Sequence, residues 1–369
     1  MKNLAIIGGG IFGSTTAIEL SRSGYNVTLF EKHFDILMGA TSKSVLRLHL
    51  GFHYPRDLDT ATQSKRGYES FLKRFPGATD LNFKNYYAIT KNLSRVSRDE
   101  FLFFVKNAKL DMTECSNDEL ALSGLAVDKC SGIFLNKEGV ISIIKLRQQL
   151  RAEMASTSVE LSLNTEITKA QRRNSKWVIT SSENIEHEFD FVIRSTYGHD
   201  RMEIIGNKVG TNRNYEYHKT LVLEVKVNLS KFGLTIVDGD FLTILPKAFE
   251  NSHLLYGPNP SVLKRHVGIN YPDSWDLINS NSQIARSAST KLMGRYTEWF
   301  PDNSDIALIG TEITVRAIDS NVKATDRRVS SVEYRDEDFI DICSGKIDHC
   351  MEIAAGILSK VNSRFSNKS

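Results

Sequence analysis

LAIIGGGIFGSTTAIELSRSGYNVTLFE, residues 4–31, decides how the chain begins to fold. Asn3–Ile7 is an apolar run of strand length, residues 14–24 place Ala17, Ile18 and Leu20 in a helical pattern, and Asn26–Glu31 reads as a second strand. Between the first strand and the helix stands G-x-G-x-x-G, as Gly8, Gly10 and Gly13. Gly8 permits a tight turn, Gly10 lets backbone approach a pyrophosphate, and Gly13 allows helix and strand to touch. The unpaired N–H groups and positive dipole end of the helix favour an anion there. Glu31 ends the second strand, where a carboxylate accepts hydrogen bonds from ribose hydroxyls. A glycine triplet alone says little; strand, glycines, helix, strand and acid at these spacings read as a dinucleotide site.

The chain does not then alternate strand and helix as an ordinary dehydrogenase domain does. Residues 33–57 run through small polar residues and histidines before a helix at 59–75 and a strand at 83–90. A helix is expected at 142–155, strands at 159–173, 176–182 and 189–198, and antiparallel strands at 219–227, 241–247 and 253–258. A long helix near 280–300 precedes a strand from 305, and 338–361 reads as strand, tight turn, helix. The 369 residues are 41% hydrophobic and 25% charged, a globular composition with room for two cores. A net charge of +3 from 47 basic and 44 acidic residues, without a long run of either sign, excludes a nucleic-acid arm or polybasic membrane patch. No apolar stretch approaches the about eighteen residues of a membrane span. Cys115, Cys130, Cys343 and Cys350 form no C-x-x-C pair and no zinc spacing, so no metal is expected and a reduced, cytoplasmic protein is.

The opening segment followed by GATSKS (39–44) resembles the FAD-dependent oxidoreductases of the D-amino-acid oxidase (glycine oxidase) superfamily. The likeness continues through 139–182 and FDFVIRSTYG (189–198). It implies a Rossmann-like α/β FAD-binding domain interleaved with an α+β substrate domain on a largely antiparallel sheet. The implied division is 1–75, 140–204 and 305–369 for FAD, and 76–139 and 205–304 for substrate. FAD would lie along Gly8, Gly10, Ile11, Phe12 and Gly13, Glu31 and Lys32, and Thr41 and Ser42. Adenine would meet backbone near Ile167, and Gly198 would follow the returning strand. Two departures stand out: Arg194 where the family shows a small residue, and SGKIDHC (344–350) in place of a glycine-rich C-terminal motif. There Gly345, Lys346 and Ile347 sit at a strand-to-helix turn whose N–H groups suit negative charge on a reduced flavin ring.

SVLRLHLGFHYPRD, residues 44–57, read with period two, puts Arg47, His49, Gly51 and His53 on one side of an extended chain. Its nearest likeness in the superfamily is the H-x-G-I-Y-Y-P stretch of the L-2-hydroxyglutarate oxidase branch, which lies beside the isoalloxazine ring. Oxidising a C–H bond next to a hydroxyl needs hydride transfer and a base for the heteroatom's proton, and imidazole titrates in the right range. His49 and His53 are therefore candidate bases, with Arg47 and Arg316 as candidate anion clamps. The expected activity is FAD-dependent oxidation of a C–O bond in a small anionic substrate such as a 2-hydroxy acid. An amino acid or amine oxidase is the alternative; a nicotinamide-dependent dehydrogenase and a redox-silent flavoprotein are further ones. The electron acceptor is left open.

Overall fold

In a computed structural model, the structure describes residues 1–366 apart from 93, 117–123, 199–200, 207–213, 230, 238, 240–241 and 321–326. Asn3–Ile7 pairs in parallel with Asn26–Phe30 on one side and Phe191–Arg194 on the other. Val159–Ser162 and Phe339–Cys343 extend this sheet in parallel at its two ends, and Ser331–Asp336 closes it antiparallel. Apolar runs form these strands because both faces are covered. Leu4 and Ile6 pack with Ile18, Leu20, Leu150 and Ile357 from the helices Ile11–Arg22, Ile143–Ala155 and Cys350–Ser366. Ala5, Ile7 and Val192 face Trp177 and Ile179 of the meander Ile167–Arg173, Lys176–Ser181 and Glu186–Phe189.

Among the described residues the second sheet has nine strands, built around the 13-residue Tyr215–Val227. It is antiparallel except where Phe232–Val237 runs parallel to Lys84–Thr90. One face packs Leu223, Leu234 and Leu255 on Leu292 and Tyr296 of the helix Gln283–Trp299. Ile306–Asp319, expected with the FAD-binding residues from 305 on, instead pairs along its whole length with Tyr215–Val227. The strand was legible from its own residues; its partner is not encoded locally.

Residues 44–57 correct the extended reading. Only Arg47–Leu48 is a strand, in a small sheet with Gly139–Ile141 and Thr79–Asp80. Leu46 takes φ 52° and Gly51 φ 115°, both left-handed, and the chain turns as the Tyr54 N–H donates to the Gly51 carbonyl at 3.1 Å. Gly51 has its own reason: a Cβ would lie 2.7 Å from the Ala61 carbonyl oxygen of the helix Leu58–Arg74, not against a ligand. Asp57 caps that helix by accepting from the Thr60 N–H at 2.7 Å.

The departure at Arg194 is explained across the parallel sheet, where it stands opposite Asp341. Its Nε and Nη2 donate to that carboxylate at 2.8 and 2.6 Å, and Arg335 donates to the same group. All three are buried. Asp341→Asn removes the anion between two buried guanidinium groups, so it should lower unfolding free energy by about 3–5 kcal/mol. Denaturant titration checks this; a loss below about 1 kcal/mol would mean that water or another carboxylate takes over.

Candidate active site

A cavity of about 870 Å³ opens where the parallel strands end, bounded by Ile7, Phe30, Ser195 and Ser344, with Thr314–Ile318 of the second sheet across from them. Carboxyl ends of parallel strands are where open α/β sheets hold ligands. Gly8, Gly10, Ile11, Phe12, Glu31, Lys32, Thr41 and Ile167 line one part. Arg47, His49, His53, Arg316, Gly345, Lys346 and Ile347 line the same cavity. Ser42 does not line it; its hydroxyl donates to the Gly39 carbonyl at 3.2 Å. Gly198 lies on an adjoining cavity of about 240 Å³, and Gly13 stands behind the turn with its Cα packed on the Gly8 carbonyl.

The glycine turn suits a pyrophosphate by its own geometry. A Cβ on Gly8 would meet the Ser195 carbonyl oxygen at 2.5 Å, whereas one on Gly10 would meet only the Thr41 hydroxyl, at 3.5 Å, so Gly10 faces open space. No side chain of Gly10 caps the helix; the Thr41 hydroxyl accepts from the Ile11 N–H at 3.3 Å. Helix N–H groups thus remain to face an anion. The Glu31 carboxylate accepts from the Gly9 N–H at 2.7 Å and the His33 N–H at 2.9 Å, which fixes it on the cavity wall. Each oxygen keeps a lone pair for a hydroxyl donor. These residues fit a dinucleotide.

The histidine turn rests on a residue that the sequence reading passed over. Glu138, 2% exposed, accepts from the Leu50 N–H at 2.7 Å, more weakly from the Gly51 N–H at 3.4 Å, and from the Tyr87 hydroxyl at 2.7 Å. Arg47 lies over it, Nε 3.7 Å from the carboxylate. Its Nη1 donates to the Tyr87 hydroxyl at 2.6 Å, and its Nη2 donates to the Thr235 hydroxyl. Arg47 is 3% exposed, a wall post held by Tyr87, Thr235 and Glu138. No motif marks Glu138; it stands 88 residues from the Leu50 N–H that it caps.

His49 and His53 face one another with ring centroids 5.8 Å apart. Burial, and then the cations around them, hold both well below the usual imidazole range: Lys346 and Arg47 beside His49, Arg47 and Lys346 beside His53. Both rings are therefore neutral near pH 7. The Lys346 ammonium sits 4.9 Å over the Tyr54 ring, and burial lowers its pKa while raising that of the enclosed Asp348. Behind them His349, pushed by burial to about 3, bridges the Ser64 and Ser330 hydroxyls at 3.1 and 2.9 Å, and the Ser330 hydroxyl accepts from the Gly345 N–H at 2.7 Å. The turn at 344–347 is thereby tied to the helix Leu58–Arg74.

Arg316 lies 4.4 Å over the Tyr256 ring, and among the described residues no carboxylate is within ion-pair reach of it. Arg328 lines the same cavity, whereas Arg327 is drawn off to Asp59 and Asp57. His218 also lines it, paired with Glu216 at 2.9 Å; Tyr217 is buried with its hydroxyl on the Gly198 carbonyl. The four cysteines are free, and among the described residues no helix is long and apolar enough to cross a membrane.

A glycine cradle on a parallel sheet, with an antiparallel sheet facing it across one cavity, defines a dinucleotide-dependent oxidoreductase. The chain belongs to the FAD dependent oxidoreductase (DAO) family, whose model matches residues 3–320, and is an FAD-dependent enzyme. It is 28% identical over 244 residues to the FAD-dependent monooxygenase FPY4 of Fusarium mangiferae, a match covering 66% of this chain and 60% of that relative's length. It is 22% identical to the FAD-dependent monooxygenase kojA of Aspergillus flavus, over 97% of this chain and 85% of that one. In fold it is similar to glycine oxidase from Geobacillus kaustophilus (TM-score 0.72, 14% identity, 98% and 95% of the two chains). The L-alpha-glycerophosphate oxidase of Mycoplasma pneumoniae, with FAD bound, is similar too (0.75, 16%, 98% and 94%).

Proposed function

We propose that the enzyme oxidises a C–O bond of a small anionic substrate, a 2-hydroxy acid being the type. The observation that carries this is one cavity lined by two neutral imidazoles, His49 and His53, and by the guanidinium of Arg316, which has no carboxylate within ion-pair reach among the described residues. Among the described residues the lining is cationic: eleven Lys and Arg side chains stand against the carboxylates of Glu31, Glu166 and Asp276, although the chain's net charge is only +3. That is more positive charge than a pyrophosphate needs.

FAD, bound by Gly8–Gly13, Glu31, Thr41, Ile167 and the turn Gly345–Ile347, supplies the acceptor for a hydride from the substrate carbon. The chain's own residues do the rest. Arg316 holds the substrate anion and, with Tyr256 beneath it, fixes the angle of approach. A neutral imidazole takes the hydroxyl proton, which a buried and already protonated ring could not do. Lys346 places positive charge where negative charge accumulates on reduction, while the Gly345 N–H is taken by the Ser330 hydroxyl and holds the turn in place. The four free cysteines suit a reducing compartment, and the cytoplasm is the proposed location.

Anaerobic mixing of the yellow protein with a panel of 2-hydroxy acids, amino acids and amines tests the reading. A hydroxy acid should bleach the flavin without a nicotinamide. Arg316→Met should raise that substrate's KM roughly 10- to 100-fold, the worth of a charge-assisted contact of about 1.5–3 kcal/mol. Bleaching by amino acids alone moves the assignment to C–N oxidation. Bleaching only by a reduced nicotinamide, with oxygen inserted into a product, overturns it in favour of a monooxygenase.

A further inference from the structure

The two histidines that share the cavity wall differ in what stands behind them. The His49 Nδ1 is buried without a hydrogen-bond partner, and its nearest acid is Glu138, Oε1 at 4.0 Å. That oxygen takes one good hydrogen bond, from Leu50, and one long one, from Gly51, so it retains room for another donor. The His53 Nδ1 instead meets the Arg47 Nη1 at 3.5 Å. A guanidinium has no lone pair and can only donate, so this nitrogen of His53 must be the acceptor. In the neutral ring the proton of His53 is then on Nε2.

Resting on the hydroxy-acid reading above, we infer that Glu138 is a positioning residue that sets His49 as the base by drawing the ring proton to Nδ1. The lone pair of His49 Nε2 is thereby left for the substrate hydroxyl, while His53, its Nδ1 occupied by Arg47, presents N–H and serves as a hydrogen-bond donor. With FAD bound as the two-electron oxidant, the substrate C–H hydrogen would leave with its electron pair as hydride and the C–O bond would become C=O. The hydroxyl proton goes to His49 Nε2. The ring is then cationic, with Nδ1–H directed at the Glu138 carboxylate, and the 4.0 Å gap closes to hydrogen-bond length as charge develops. Four other groups face this ring, Lys346, Arg47, His53 and His349, and the charges of the first two oppose a proton on it. Among the described residues, Glu138 is the carboxylate within ion-pair distance of the ring, at 4.0 Å, and is placed to offset them. The same carboxylate holds the Leu50 N–H and Arg47, so a single buried group sets the tautomers of both rings, one directly and one through the guanidinium.

Nitrogen NMR of the FAD-loaded protein labelled with ¹⁵N-histidine tests this without depending on turnover, with His49→Gln and His53→Gln assigning the two rings. Near neutral pH the expected spectrum shows His49 protonated on Nδ1, the minor form of free imidazole, and His53 protonated on Nε2. Glu138→Gln should shift His49 toward the Nε2–H form and lower kcat roughly tenfold or more with KM little changed. A His49 ring already in the Nε2–H form in the unaltered protein overturns the inference. So does a His49 ring that Glu138→Gln leaves as it was. If Glu138→Gln fails to fold, the spectrum of the unaltered protein still decides. If the tautomers are as expected but no hydroxy acid bleaches the flavin, the pairing stands and the substrate reading falls.

Discussion

Gly13→Ala should yield a colourless protein of much reduced stability. The ideal Cβ would stand 2.0 Å from the Gly8 carbonyl oxygen and 3.2 Å from its carbon, both backbone atoms. Real contacts to a methyl are more than an ångström longer, so the turn or the helix must move. Neither has room. Gly8, at φ 106°, is itself wedged against the Ser195 carbonyl, and the Ile6 side chain lies 3.4 Å from the new methyl on the other side. The cost should reach about 3 kcal/mol, the upper end for overpacking, and FAD affinity should fall by 100-fold or more as the helix terminus leaves its place. Gly10→Ala is the informative partner. Its methyl meets only the Thr41 hydroxyl at 3.5 Å, an ordinary contact, so the apoprotein should melt normally while FAD is lost. Thermal unfolding of both apoproteins and FAD titration by fluorescence distinguish the cases. Gly13→Ala with full FAD content and an unchanged melting temperature would show that the turn does not need that contact.

That cradle was readable because everything it needs lies within 31 residues. Strand, helix start and acid are neighbours in the chain, and each glycine answers a local steric demand. Helix Leu58–Arg74 was nearly as legible, with an N-cap at Asp57 and its own apolar face. The helix Arg98–Asn107 went unread although its capping box, Ser97 with Glu100, is written in the sequence. Residues 44–57 failed for a different reason. Their alternation is real, but the turn at Gly51 is stabilised by a carboxylate 87 residues away, and a period-two pattern carries no sign of that. Arg194 is the same kind of case: an unexpected charge in an apolar strand, explained by Asp341 in the register of a strand 147 residues on. Pattern fixed which side chains are apolar; the pairing of buried charges belongs to the assembled fold.

Arg47→Met should cost about 3–5 kcal/mol at neutral pH, and the loss should shrink in acid. Arg47 is the cation nearest the buried Glu138 carboxylate, and it also donates to Tyr87 and Thr235. Without it the carboxylate keeps its neutral donors but has no adjacent counter-charge, which is the expensive way to break a buried pair. Burial already raises the Glu138 pKa above the usual carboxylate range, and Arg47 is the strongest influence pulling it back. Removing Arg47 therefore raises it further. A carboxyl whose folded pKa exceeds its unfolded value, near about 4.3, gives full stability below the unfolded value and loses it as pH rises through the folded one. The gap between Arg47→Met and the unaltered protein should thus widen from mildly acid to neutral pH and level off above the raised pKa. Adding Glu138→Gln removes the stranded charge, so the double variant should be more stable than Arg47→Met alone at pH 7, a coupling that a double-mutant cycle in denaturant measures directly. A loss equal at every pH, and not relieved by Glu138→Gln, would mean that Arg47 acts through its contacts with Tyr87 and Thr235. The Glu138 carboxylate would then lack the charge needed to orient His49, which ties this stability measurement to the chemistry of the site.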